Sequence, residues 1–135
     1  MTGLDTSVVI RYLTHDDPVQ TPAAVKLIDS LTPGNPGFLS LVVVAETIWV
    51  LEDVYNFKND QIEEVLEMLL RSAEIVLERE DVVQQAVRRF RTENGDFSDC
   101  LIERCAHAAG CTHTVTFDRR ASNRAGMRLL GQNKE

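Results

Sequence analysis

Gly37-Phe38-Leu39-Ser40-Leu41-Val42-Val43-Val44-Ala45-Glu46-Thr47-Ile48-Trp49-Val50-Leu51 changes character part-way along. Gly37 to Leu41 reads as a short strand. Leu41 to Leu51 is apolar nearly all round and reads as a buried helix. The same alternation recurs on either side. Met1–Asp5, Glu74–Leu77 and Thr112–Phe117 are further short strand candidates. Helical spacing returns at Ala24, Leu27, Ile28 and Leu31, at Ile62, Val65, Leu66 and Leu69, and at Val83, Ala86, Val87 and Phe90. Asp17-Pro18 reads as a cap followed by a first-turn proline, and Thr32-Pro33-Gly34 as the end of that helix. Another helix is expected from Ser98 to Ala109, with Gly110 just past it. Short strands alternating with helices predict an α/β fold whose parallel sheet is covered on both faces.

The chain has 135 residues, which predicts one domain spanning 1–135. Apolar residues make up 44%, enough for a core. No apolar run approaches a membrane span, and Met1-Thr2-Gly3-Leu4 does not open like a secretory signal, so the expected location is the cytoplasm. Cys100, Cys105 and Cys111 show neither a disulfide framework nor zinc spacing, and are read as small buried apolar residues. A formal charge of −7 taken alone argues against nucleic-acid binding. The charge is uneven, however. Acidic residues crowd between Asp60 and Asp81, whereas Arg119, Arg120, Arg124, Arg128 and Lys134 make the end basic. That end leaves room for a phosphate-binding face.

Most carboxylates fit solvated helix faces, but four do not. Asp5 and Asp118 fall at the carboxyl ends of the first and last strand candidates, where open parallel sheets bind ligands. Helix capping and turn formation are the plain alternatives. Glu46 sits inside the apolar helix, where a buried carboxylate costs several kcal/mol unless a cation meets it. No Lys or Arg lies within helical reach, and a metal ion would serve. Asp99 falls in the first turn of the Ser98 helix, with Asp96 placed to cap it. Hard oxygen donors without His or Cys partners suit Mg²⁺ or Mn²⁺. His15, His107 and His113 lack zinc-protease spacing, and there is no nucleophile elbow or Walker loop.

These residues together resemble the PIN-domain family, and within it the VapC-type toxins of bacterial toxin–antitoxin pairs. The carriers are Gly3 to Leu13, Ala45-Glu46-Thr47, Asp96 to Ile102 and Thr116-Phe117-Asp118. Each block is weak alone; four in order are fairly specific. The resemblance implies a metal site of Asp5, Glu46, Asp99 and Asp118, supported by Thr6, Asp96 and Thr116. Many relatives carry Asn where Ser7 stands. The resemblance further implies a three-layer sandwich with a short central parallel sheet flanked by helices. It also implies metal-dependent cleavage of RNA, a homodimer, and inhibition by a cognate antitoxin.

Arg119 and Arg120, directly after Asp118, are candidates for contact with the RNA backbone. Trp49 reads as core. Tyr55, Phe57 and the Ile62–Leu69 stripe are candidates for an antitoxin groove if exposed. A PIN domain that binds RNA or protein without cutting is the competing reading. A phosphorylated receiver domain is disfavoured: Asp16-Asp17 follow a helical segment, and no Lys follows a late strand.

Overall fold

The computed structural model describes residues 1–131. They divide into two compact units, Met1–Glu80 and Asp81–Glu135.

The first unit holds β1 (Thr2–Gly3), α1 (Thr6–Thr14), α2 (Gln20–Asp29), β2 (Gly37–Leu39), α3 (Leu41–Asp53), α4 (Asn59–Arg71) and β3 (Ile75–Leu77). Its strands form a parallel sheet in the order β1-β2-β3. The register pairs Thr2 with Gly37 and Leu39 with Leu77. Gly37 must be glycine for a packing reason: a Cβ there would lie 2.9 Å from methyls of both Leu4 and Leu31. Local chemistry sets the helix starts. Asp17 Oδ1 accepts from the backbone N–H groups of Val19 and Gln20, at 2.9 and 2.7 Å, and braces the turn into α2; the helix begins at Gln20 with Val19 at the cap position, so Pro18 stands before it and not in its first turn as expected. Ser40 Oγ accepts from Val43 N at 3.2 Å and opens α3. On α4, Ile62, Val65, Leu66 and Leu69 are all buried, as their spacing demands of a core face. They are therefore core, not the exposed groove expected of them.

The second unit holds α5 (Glu80–Glu93, whose first residue precedes the boundary), α6 (Phe97–Ala108), β4 (Val115–Thr116), α7 (Arg119–Arg124) and β5 (Arg128–Leu129). Here β4 and β5 pair in parallel, Val115 with Arg128 and Thr116 with Leu129. Val82, Val83, Ala86, Val87 and Phe90 bury the inner side of α5. Phe90 meets Phe97 of α6 edge-on, with ring centroids 6.1 Å apart. Gly110 takes a left-handed φ of 101° just beyond α6, as expected of a helix terminator. All strands are shorter than the sequence suggested, and β5 and α7 were not foreseen. Among the described residues, no helix is long and apolar enough to cross a membrane.

Candidate active site

In the first unit, β1 delivers Asp5 to the N-cap position of α1. Its backbone is extended there, but its side chain makes no capping bond. Oδ2 instead accepts from Ser7 Oγ at 3.1 Å, so Ser7 orients the carboxylate. Thr6, buried beside it, donates from Oγ1 to Glu46 Oε1 at 2.6 Å. That bond joins positions forty residues apart and brings α3 to the start of α1. Asp5, Thr6, Ser7 and Glu46 line one open cleft of about 470 Å³.

Glu46 corrects an expectation. It is exposed, not buried. Helix α3 buries Val44, Thr47, Ile48 and Leu51 and leaves Val42, Glu46 and Trp49 at the surface. Trp49, expected in the core, is 52% exposed. An all-round apolar helix does not reveal which side a neighbour covers, and here only one side is covered. Glu46 therefore needs no buried counter-ion; a hydroxyl holds it. Arg11, which was not foreseen, lines the same cleft, as does Tyr55, expected only in an antitoxin groove. Arg11 Nη1 donates to Asp16 Oδ1 at 3.4 Å and to Tyr55 Oη at 3.3 Å. Hydrogen bonds from Tyr55 and then Thr14 hold the Asp16 carboxyl below its usual range. Arg11 thus shares the cleft with Glu46 but spends its hydrogen bonds on Gln20, Asp16 and Tyr55.

In the second unit, Asp118 follows β4 and caps α7. Its Oδ1 accepts from Arg120 N at 2.8 Å and Ala121 N at 3.4 Å. Thr116 Oγ1 accepts from Asp118 N at 3.0 Å and so shapes the turn. Asp96 caps α6 as expected, its Oδ2 accepting from Asp99 N at 3.0 Å. Asp99 is half-buried. Burial, then the nearby charges of Asp96 and Asp118, push its carboxyl above the usual range, with Arg120 opposing. Asp96 and Asp118 are thus both within electrostatic reach of Asp99. Arg119 and Arg120 open α7, and Arg120 Nη2 donates to Asn94 O at 3.4 Å. Lys134 of the basic end lies outside the described residues.

This unit also carries a feature not read from sequence. Arg88, Arg89, Arg104 and His107 line an open cleft of about 470 Å³. Arg104 Nε and Nη2 donate to the buried Glu103 at 2.6 and 3.0 Å. The clue was available: Arg88 and Arg89 are adjacent polar positions of an otherwise clear amphipathic helix. The cysteines offer no alternative chemistry. Burial raises the Cys100 thiol to about 11, so it is not a thiolate at neutral pH. Cys111 is exposed, contrary to the expected burial.

The donors Asp5, Glu46, Asp99 and Asp118 are hard carboxylate oxygens, which fit Mg²⁺ or Mn²⁺ rather than zinc. Among the described residues, no three His, Cys, Asp or Glu side chains gather closely enough to hold an ion by themselves.

The sequence model of the PIN domain matches residues 4–127, across both units. A VapC ribonuclease of Aquifex aeolicus (strain VF5) is 28% identical over 119 residues, covering 87% of each chain. With a match this long, running from just after β1 to beyond the helix that Asp118 caps, the chain belongs to the PIN-domain family.

Proposed function

We propose that the chain is one PIN domain acting as a metal-dependent endoribonuclease, the toxin of a toxin–antitoxin pair. The observation that carries this is the Thr6–Glu46 bond, which places Glu46 in one cleft with Asp5. The similar VapC ribonuclease supports the substrate class.

Asp5, Glu46, Asp99 and Asp118 are the residues that would hold Mg²⁺ or Mn²⁺. Such ions keep several waters and complete their shells with substrate phosphate oxygens, so few carboxylates suffice. When bound, the ion neutralises the phosphodiester and makes water a stronger nucleophile. The chain's own residues supply placement. Ser7 and Thr6 fix the orientation of Asp5 and Glu46 through hydroxyl bonds. Thr116 sets the turn that presents Asp118. Asp96 holds the first turn of α6 and keeps Asp99 in an anionic setting. Arg119 and Arg120 guide the backbone without reading bases. We further propose a homodimer, a cognate antitoxin with a basic inhibitory segment, and a cytoplasmic setting.

The test is cleavage of labelled single-stranded RNA by the purified chain with Mg²⁺ or Mn²⁺. Cleavage should cease with chelator and fall at least a hundredfold in Asp5→Asn and Glu46→Gln, since each removes a charge on which electrostatic catalysis depends. RNA binding without cleavage by the unaltered protein would instead establish a non-cutting RNA-binding module.

A further inference from the structure

Among the described residues, two aromatic side chains are exposed, Trp49 at 52% and Phe117 at 80%. The other six, Tyr12, Phe38, Tyr55, Phe57, Phe90 and Phe97, are half-buried or buried. Each exposed aromatic is close in sequence to one of the candidate carboxylates. Trp49 lies one turn after Glu46 on the uncovered stripe of α3, which continues to Val42 on the other side of Glu46. Phe117 directly precedes Asp118, and Arg119 and Arg120 follow. The two cases are independent, since they arise on different elements of different units.

We propose that Trp49 and Phe117 are stacking platforms for unpaired RNA bases, each seating a base beside the carboxylate next to it. The proposal rests on the ribonuclease reading and adds two residues that seat the bases. The occupant follows from chemistry. The faces are flat and apolar, as nucleobase faces are, and aromatic stacking accepts any unpaired base. A duplex keeps its bases stacked on one another and offers no such face. Charge points the same way. A net charge of −7 weakens the general attraction to phosphate, so contacts that need no cation gain weight. Stacking supplies attraction that does not depend on cations, and the arginines after Asp118 need only steer the backbone. Selectivity is then for single-stranded RNA over duplex RNA, with little preference among bases from these rings.

Trp49 is the single tryptophan of the chain, so its fluorescence reports its own face. The probes are a mixed-sequence single-stranded oligoribonucleotide, a duplex of the same length, and an abasic ribose-phosphate oligomer of the same length. They are titrated into full-length Asp5→Asn protein, which keeps the probe intact. Single-stranded RNA should quench Trp49; the duplex and the abasic oligomer should not. In the same background, Trp49→Leu and Phe117→Leu should each weaken single-stranded RNA binding, measured by anisotropy, roughly fivefold to a hundredfold. Trp49→Phe should restore most of the loss, and the salt slope should not change, because no phosphate contact is removed. Matching melting curves would show that these exposed positions leave the fold intact.

Equal quenching by the abasic oligomer, or unchanged affinity in both Leu variants, would overturn the stacking assignment. Protection of Trp49 without RNA, rising with protein concentration, would overturn it in favour of a second copy of the chain. The two readings fail separately. Stacking without cleavage by the unaltered protein would keep this proposal and remove the nuclease. Cleavage with unchanged KM in both Leu variants would do the reverse.

Discussion

Asp99 is the residue whose environment most clearly opposes its charge. Its folded carboxyl is raised by burial and by Asp96 and Asp118, so ionisation is disfavoured relative to the unfolded chain. The penalty is absent below the ordinary value near 3.8 and grows as pH rises through the raised value. Asp99→Asn should therefore raise Tm of the metal-free protein at pH 7 and leave it unchanged near pH 3. Mg²⁺ should raise Tm of the unaltered protein and raise that of the variant less, since a ligand that binds the folded state stabilises it. An equal Mg²⁺ response would remove Asp99 from the site. Thr47 offers a second test. Its Oγ1 is buried and has no hydrogen-bond partner among the described residues. Thr47→Val keeps the shape and removes an unsatisfied hydroxyl, so it should stabilise by about 1 kcal/mol, a few degrees in Tm. Neither effect was legible in the sequence. Thr47 looked like an ordinary helix residue, and the surroundings of Asp99 depend on Asp118, far along the chain in a strand–helix corner.

Among elements, long amphipathic helices were the most legible and two-residue strands the least. The apolar spacing of α4 and α5 names its buried side correctly, because four or five repeats outvote any single residue. β5 is only Arg128–Leu129, and two residues carry no period. α3 failed in a different way. With apolar residues on all sides it gave no hint that Val42 and Trp49 would stay outside, nor that Glu46 would be anchored by Thr6. Helix ends were legible from single residues. Asp96 and Gly110 act as their types predict, whereas Asp17 braces a turn ahead of α2. At Gly110 a Cβ would meet no atom within 4 Å, so only the left-handed backbone opposes substitution. Gly110→Ala should therefore destabilise by about 1 kcal/mol by denaturant unfolding. A neutral result would mean that α6 ends equally well another way.

For the whole molecule, the order of candidate carboxylates along the chain identified the family before any contact was known, and the match over residues 4–127 agrees. Spacing could not show that the contacts fall into two compact units, because that depends on which helices pack together. The distribution of two rare residue types makes this division experimentally accessible. The single tryptophan lies in the first unit, and all three cysteines lie in the second. Cys100 is fully buried, so a thiol reagent reaches it only when its surroundings open, whereas Cys111 is exposed and reacts from the start. Indole emission and Cys100 trapping therefore act as native reporters, one for each half. In a urea titration with Cys105→Ser and Cys111→Ser combined, which leaves Cys100 as the one thiol, one cooperative domain should give coincident midpoints from both signals. Separated midpoints would show a half that opens alone, in the manner of a foldon. The chain thus carries, without any engineered label, the means to measure how its two halves share their stability.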